Sequence, residues 1–346
     1  MSQDSTASNS AAARRPKRRW QNLALAIVTF GLCGVIFEIA LRVAGYGNLE
    51  IYDPDPKLYW RLKPNQDCFT KIGRQPVRIN SQGLRGPEFD PDKPADVLRV
   101  LSLGDSRTFG WGLADAETYS RRLGSLLQEK IGAARRVEVL NAGVNAWSYP
   151  QMLVYFRNVA ARYQPDWVIL AEANLWTQFS ERNSPEFVRK FLWRVRLKNL
   201  LRRSAIYHFV VEVQLREFYQ RQRTRFIPVD PGQDDLFKEQ QQGDPDAVFR
   251  EAMAELCRVA ATNGVRPMLM FLPTLDDLGS TNLSRVLVAK RAVSEELAVP
   301  LVDMTSDLRG SGNTLYLEAD PVHLNARGNE IVARRLSEAM TRQLAP

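Results

Sequence analysis

Residues 97–106 read VLRVLSLGDS, and this stretch decides the fold. Its first seven residues are mostly aliphatic, which is typical of a parallel strand buried on both faces, and the run stops abruptly at Gly-Asp-Ser. Four further short apolar runs along the chain have the same character. The predicted strands are Val97–Leu103, Val137–Leu140, Trp167–Ala171, Pro267–Leu272 and Pro300–Asp303.

Helical patterns separate these strands. They cover Glu117–Ile131, Pro150–Tyr163, Ala247–Asn263, Leu283–Leu297 and Ala326–Arg342. Strand–helix alternation of this kind predicts an α/β protein with a doubly wound parallel sheet and helices on both faces. Ligands of such sheets bind at the carboxyl ends of the strands, where Ser106, residues 141–145 and Asn174 fall.

The charge of the chain is concentrated in two segments. Its 346 residues carry a formal net charge of +8, to which residues 1–20 contribute +4 and residues 182–225 contribute +9. The remainder is net acidic, so the basic balance does not indicate a nucleic-acid partner. Cys33, Cys68 and Cys257 show no Cys-x-x-Cys spacing. We therefore predict no disulfide framework and no zinc site, although a single Cys68–Cys257 bridge stays open. No cofactor is predicted.

The N-terminal region has the pattern of a membrane anchor. We predict a disordered basic tail at residues 1–20 and a transmembrane helix at residues 21–44. Gln21–Phe37 carries no charge, and Glu38 and Arg42 follow on one helix face, where they can pair. Basic residues before the run predict a cytoplasmic N-terminus, hence a single-pass protein of the cytoplasmic (inner) membrane with an extracytoplasmic, periplasmic body. The alternative is a cleaved signal peptide.

The rest of the chain divides into a collar and a main domain. Residues 45–95 are predicted as an irregular juxtamembrane collar, because several prolines exclude a long helix. Residues 96–346 form the main domain, with a basic helical insert at residues 183–245 that holds one or two amphipathic helices ending near Phe226. The insert either packs on the domain with solvated charges, or acts as a lid or a surface that contacts anionic lipid headgroups.

Three side chains are candidates for nucleophilic catalysis. Ser106 ends the first strand, and a serine hydroxyl needs a base to act as a nucleophile. His323 lies in a short polar loop, and Asp320 precedes it by the three residues that let its carboxylate fold back onto the imidazole. The other histidine, His208, lies between Tyr207 and Phe209 and is interpreted as a structural, partly packed ring. The structural alternative for Ser106 is a helix cap.

An acyl-transfer site also needs donors for the developing oxyanion. The candidates are the backbone N–H groups of Ser106 and Gly143 and the side-chain amide of Asn174, each just after a predicted strand. The structural alternatives are an ordinary turn glycine for Gly143 and a turn or cap residue for Asn174.

The chain resembles the SGNH hydrolase superfamily, also called the GDSL family. The motifs that match are Gly104-Asp105-Ser106, Gly143, Asn174, Asp320-x-x-His323 and, as in membrane-anchored bacterial members, the Ser-x-Gly-Leu-Arg-Gly segment at residues 81–86. The resemblance implies a flavodoxin-like three-layer α/β/α sandwich with a central parallel sheet. It also implies esterase, lipase or acyltransferase activity without a metal.

Two departures from the family pattern concern the site. Glu172 and Leu175 flank Asn174 where the family has Gly and Asp, and an inward-pointing Glu172 would oppose an oxyanion. Arg107, directly after Ser106, could offset Glu172 or bind an anionic substrate group. The predicted function is a membrane-anchored serine esterase acting on an ester-bearing small molecule, lipid or envelope glycan. The alternatives are an O-acyltransferase of cell-envelope glycans and a non-catalytic binding or assembly protein.

Overall fold

A computed structural model of the chain describes residues 15–70, 74–173, 179, 183–215, 244–318 and 320–344. Its centre is a five-stranded sheet in which every neighbouring pair is parallel. The strands are β5 (Val97–Gly104), β6 (Arg136–Gly143), β7 (Trp167–Leu170), β8 (Arg266–Phe271) and β9 (Leu301–Asp303). Each begins within one residue of its predicted start.

The order across the sheet is β6-β5-β7-β8-β9, which is the flavodoxin-like order. The chain leaves β5 in one direction to form β6 and later returns to the other side of β5 to form β7. Ligands of such sheets bind at the carboxyl end of the strand where the order reverses, which here is β5. Ser106 lies two residues after the last residue of β5.

Helices cover both faces of this sheet. Those of the main domain are α2 (Ser106–Phe109), α3 (Tyr119–Ile131), α4 (Tyr149–Asn158), α7 (Pro245–Thr262), α8 (Leu275–Gly279), α9 (Arg285–Leu297), α10 (Thr305–Arg309) and α11 (Ala326–Leu344). Short 3-10 turns lie at Asp115–Glu117, Gly132–Ala134, Ala160–Tyr163 and Gly312–Leu315. The predicted helix at 150–163 includes the turn at Ala160–Tyr163, whereas the predicted helix at 117–131 shares only Glu117 with the turn before it.

Two hydrophobic cores follow from the alternation of side chains along the buried strands. Leu101 and Leu103 of β5 face the core beneath α4, α7 and α9, whereas Leu98 and Val100 face the core beneath α3 and α11. The three layers of helix, sheet and helix are those that the sequence predicts.

The segment predicted as an irregular collar instead contains two antiparallel β-hairpins. They consist of β1 (Tyr52–Asp55) with β2 (Tyr59–Leu62) and β3 (Gln66–Phe69) with β4 (Pro76–Ile79). Trp60 is fully buried in the core of the main domain, and its indole N–H donates to the Asn145 carbonyl over 3.0 Å. The hairpins are therefore part of the packed body, and aromatic side chains hold them there. Their strands are too short to be predicted from a sequence pattern.

The insert contains a long helix, α5 (Pro185–Arg202), a single turn, α6 (Ala205–Tyr207), and a π-helical segment at His208–Leu215. Phe191 and Val195 of α5 pack into the same core as the hairpins. The predicted end of the amphipathic region near Phe226 lies outside the described residues. His208 is buried and its Nδ1 accepts the Gly47 N–H, as expected of a structural histidine.

The N-terminal helix, α1 (Arg15–Val43), projects its apolar side chains outward. Its Arg19–Val43 segment is the one helix of the described residues that is long and apolar enough to cross a membrane, by length and composition. An anchor and a signal sequence both pass that test. The three cysteines are free, so Cys68 and Cys257 do not form a disulfide bridge.

Candidate active site

Ser106, His323 and Asp320 form a continuous hydrogen-bonded chain. Ser106 Oγ lies 2.8 Å from His323 Nε2, and His323 Nδ1 lies 2.8 Å from Asp320 Oδ2. The serine and the histidine are 217 residues apart in the sequence. This arrangement can remove a proton from the serine hydroxyl while the carboxylate holds the imidazole in place.

Ser106 is positioned by the sharp transition from β5 to α2. Asp105 caps α2 by accepting the Arg107 N–H, and its own N–H donates to the Glu172 carbonyl on the neighbouring strand segment. The Arg107 guanidinium forms an ion pair with the Asp105 carboxylate at 2.7 Å. The Arg107 guanidinium is thus engaged by Asp105, and this contact does not favour its predicted role as a binder of an anionic substrate group.

Two glycines let the backbone close tightly around this transition. A Cβ on Gly104 would lie 2.1 Å from Thr108 Oγ1, and one on Gly143 would lie 2.1 Å from the Phe109 backbone nitrogen. Such distances are far inside van der Waals contact, so only glycine fits at either position. Gly143 is therefore a close-approach glycine that lets the end of β6 pack against α2.

His323 is held by its own loop and by an aromatic ring. Its N–H and that of Val322 donate to Asp320 Oδ1, while its carbonyl accepts the Leu317 N–H. The Trp111 indole stacks on the imidazole at 5.7 Å between ring centroids and 25° between planes.

Asp320 is an anion over the whole physiological range. Burial alone would raise its pKa, but the hydrogen bond and charge of His323, together with the two backbone N–H groups, lower the pKa from 3.8 to about 2. The charged carboxylate is the form that orients the imidazole with a proton on Nδ1, leaving Nε2 free to accept from the serine.

Ser106, His323 and Asp320 lie in a region of the chain that matches a known protein family. The sequence profile of the GDSL-like lipase/acylhydrolase family matches residues 102–331, which hold all three of these side chains. The chain belongs to the GDSL-like lipase/acylhydrolase family. It is accordingly a hydrolase of ester bonds. No curated protein matches the chain.

Solved structures similar to this GDSL-like hydrolase include several esterases. The psychrotrophic esterase EstA from Pseudoalteromonas sp. is 14% identical, with a TM-score of 0.42 over 71% of this chain and 98% of its own. The acetylxylan esterase Axe2 from Geobacillus stearothermophilus is 15% identical, with a TM-score of 0.43 over 69% of this chain and 92% of its own. LAE5, from the metagenome of Lake Arreo in Spain, is 15% identical, with a TM-score of 0.45 over 70% of this chain and 94% of its own.

The carboxylate of Glu172, the departure from the usual GDSL pattern, is neutralised within the protein. It is buried and forms an ion pair at 2.7 Å with Lys290, and it also accepts the Leu272 N–H at 2.9 Å. Lys290 is fully buried and donates in addition to the carbonyls of Ala171 and Met270. Burial lowers the pKa of Lys290, and the Glu172 carboxylate limits that decrease. Because Lys290 balances the charge of Glu172, the expected electrostatic repulsion between Glu172 and an oxyanion no longer applies.

The three predicted oxyanion donors have different surroundings. The Ser106 N–H has no acceptor among the described residues, so it is available to a ligand. The Gly143 N–H donates to Asn141 Oδ1 over 3.0 Å, and the Asn141 amide in turn donates to the Thr108 carbonyl of α2. Asn174 lies outside the described residues.

Some features around the site could not be predicted from the sequence motifs. Arg85, from the segment at residues 81–86, is buried and donates to the carbonyls of Phe109, Gly110 and Leu113 in the loop after the nucleophile. Ala146, in the loop after β6, has a left-handed backbone with φ of 68°, which is uncommon for alanine and typical of strained functional loops. Among the described residues, no cluster of three or more His, Cys, Asp or Glu side chains could hold a metal ion.

Proposed function

We propose that this GDSL-like hydrolase is a membrane-anchored serine esterase in which Ser106 is the nucleophile, His323 the general base and Asp320 the group that orients the base. The pair of 2.8 Å contacts that joins the three side chains carries the proposal. Both distances are those of well-formed hydrogen bonds.

Proton transfer follows the order of the contacts. Ser106 Oγ attacks the ester carbonyl carbon while its proton passes to His323 Nε2, and Asp320 stabilises the imidazolium. The tetrahedral intermediate collapses when the imidazolium gives this proton to the departing alcohol oxygen. Water, activated by the same Nε2, then attacks the acyl-serine, and the acid leaves as Ser106 recovers its proton.

The oxyanion must be stabilised by donors near Ser106. The free Ser106 N–H supports a role as one donor. The Gly143 N–H would contribute only after leaving Asn141 Oδ1, so we assign it the lesser role. The Asn174 side-chain amide completes the proposed set.

The anchoring part of the proposal rests on α1. Its apolar segment ends at Val43, and basic residues precede it, which favours a cytoplasmic N-terminus and a hydrolase domain outside the cytoplasm. We expect external protease to digest the domain in intact spheroplasts, as detected by an antibody to the domain. A domain that is digested only after the spheroplasts are lysed would contradict this orientation.

Replacing the nucleophile tests the chemical part. In Ser106→Ala we expect kcat for p-nitrophenyl acetate to fall by roughly three to six orders of magnitude, because no attacking oxygen remains. The exposed Ser125 of α3 offers a matched control, and Ser125→Ala should keep its activity. A fluorophosphonate probe should label the native protein and the control but not Ser106→Ala. Unchanged turnover or unchanged labelling in Ser106→Ala would refute the assignment.

Product analysis separates hydrolysis from acyl transfer. With a carbohydrate acceptor present, a hydrolase releases free acid in the same amount as alcohol. An acylated sugar formed in place of the acid would favour the transferase alternative.

A further inference from the structure

We infer that the outward side of α5 lies on the surface of the bilayer that α1 spans and binds its lipids. This side, here called the α5 face, consists of the exposed residues Arg189, Lys190, Trp193, Arg196, Leu197, Leu200 and Leu201. The inference rests on the anchoring part of the proposed function and adds a second, peripheral membrane contact to it.

The α5 face is a single stripe of the helix. Its members recur at intervals of three and four residues, which places them on one side. The opposite side holds Phe191 and Val195, which are buried in the core. The exposed stripe is nevertheless rich in large apolar side chains: Trp193 is 61% exposed and Leu200 is 64% exposed.

Polarity changes along the stripe. Arg189 and Lys190 lie toward the start of α5, where Lys190 also pairs with Glu186 at 2.9 Å. Leu197, Leu200 and Leu201 lie toward its end. The apolar end of α5 is thus the end from which the chain continues into α6.

The same end of α5 is fastened to the membrane helix. The Glu38 carboxylate of α1 accepts the backbone N–H groups of Ala205 and Ile206, both at about 3 Å, and the hydroxyl of Ser204 at 2.9 Å. The Arg42 guanidinium donates to the Arg203 carbonyl at 2.7 Å. Polar contacts from two successive turns of α1 therefore fix the end of α5 beside it.

This fastening sets the depth of α5 relative to the bilayer. Glu38 precedes the end of the candidate span, Val43, by five residues, which correspond to roughly 7.5 Å along a helix. The residues that contact Glu38 therefore lie within the last turns of the span, at the height of the lipid headgroups. Leu200 and Leu201 precede them by only a few residues.

An apolar surface continues from α1 to the insert. Phe209, which follows α6, contacts Phe37 of α1 edge to face at 6.3 Å and Tyr46 at 5.1 Å. Val210 beside it is exposed, as is most of α1. Tryptophan and leucine flanked by arginine and lysine are the composition of helices that lie in the membrane interface, and the basic residues favour anionic headgroups.

A nitroxide label at Leu200 tests the inference directly. The full chain carrying Cys33→Ser, with Leu200→Cys, is reconstituted into vesicles of phosphatidylcholine with and without phosphatidylglycerol. Collision rates of the label with oxygen, which concentrates in lipid, and with a water-soluble nickel chelate report its surroundings. Matched labels are placed at Val288→Cys, an apolar and 50% exposed position on α9, and at Phe30→Cys in the span. The remaining thiols, Cys68 and Cys257, are buried.

We expect the Leu200 label to resemble the Phe30 label, with frequent oxygen and rare nickel collisions, and the Val288 label to show the reverse. Phosphatidylglycerol should lower the nickel collisions at Leu200 further, and Arg189→Gln combined with Arg196→Gln should cancel this gain. A lack of any phosphatidylglycerol effect would overturn the anionic-lipid part.

Three other outcomes contradict the inference, each in a different way. Nickel collisions at Leu200 as frequent as at Val288 would place the α5 face in water. Protection from both reagents would mean that protein covers it. A Phe30 label exposed to nickel would refute the anchoring proposal itself. Only in that last case would the peripheral contact and the anchor fail together.

Discussion

At the scale of single residues, the proposed chemistry depends on the charge of Asp320. This carboxylate accepts three hydrogen bonds, from the His323 ring and from two backbone N–H groups. Because its pKa is about 2, well below the usual 3.8, ionised Asp320 stabilises the folded protein above about pH 4. That stabilisation is lost as the pH falls from about 4 toward 2.

Asp320→Asn should therefore change both rate and acid stability. We expect kcat for p-nitrophenyl acetate at neutral pH to fall by about 10⁴-fold, because an amide can favour the wrong tautomer of the imidazole. The loss of thermal stability between about pH 5 and about pH 2 should also be smaller than in the native chain. Asp92→Asn, at an exposed aspartate, serves as the control. An Asp320→Asn variant with native turnover would show that Asp320 does not orient His323.

The residues proposed to carry the chemistry could be selected from the sequence for a simple reason. Ser106 ends a strongly apolar strand, and the chain has only two histidines, one of them flanked by aromatic residues. The partner of Glu172 was not predictable, because Lys290 is 118 residues further along and lies on a helix that shows only a buried-face pattern. Trp111 is likewise far from His323 in the sequence, and only the fold brings the two rings into contact.

At the scale of secondary-structure elements, the contact between β6 and α2 fixes the nucleophile. The Gly143 backbone packs directly against the Phe109 and Thr108 backbone. Neither of these partners is a flexible side-chain end that could move aside. The helix that begins with Ser106 is thus seated on a glycine from the neighbouring strand.

Gly143→Ala should displace this helix. We expect a loss of about 1–3 kcal/mol in the free energy of unfolding, as for other overpacked sites, and a fall in kcat larger than the stability loss explains, because Ser106 moves relative to His323. Urea unfolding and ester hydrolysis measure the two effects. Gly310→Ala is the matched control, since nothing lies within 4 Å of the added methyl there. Equal behaviour of the two variants would contradict the seating role of Gly143.

Sequence patterns predict some of the secondary-structure elements and not others. The parallel strands are apolar on both faces and are separated by helices, so their positions could be predicted closely. The pairing of residues 52–79 into hairpins was not predicted, because the strands are only four residues long and contain Pro54 and Pro76. Such strands form because aromatic residues such as Trp60 bury themselves against the domain, which local pattern does not reveal.

At the scale of the whole molecule, α1 and the hydrolase body meet at one polar junction. Glu38 caps α6 from outside, because its carboxylate accepts two backbone N–H groups at the start of that turn. The charge pattern of the sequence predicted a pairing of Glu38 with Arg42, and the two lie 2.7 Å apart. The additional capping by Glu38 joins segments that are more than 160 residues apart, which no local pattern could indicate.

Glu38→Ala should open this junction without changing the chemistry. The amides of Ala205 and Ile206 lose their acceptor, so we expect their hydrogen exchange in lipid nanodiscs to speed up by at least tenfold, while hydrolysis of a soluble ester stays unchanged. Glu186→Ala, which removes an exposed ion pair on α5, should leave these two amides as they are. Native exchange rates at Ala205 and Ile206 in Glu38→Ala would mean that α1 does not cap α6.

The hydrogen bonds of Arg85 have a practical consequence for producing this enzyme. Arg85 precedes the Gly104-Asp105-Ser106 motif by about twenty residues, yet its guanidinium satisfies three carbonyls in the loop that follows Ser106, and Trp60 fills the interior beside Asn145. A truncated version that starts just before this motif would leave those carbonyls unsatisfied in the interior and a large void in place of the indole. The smallest autonomous unit therefore begins before β1, and recombinant fragments should be cut there.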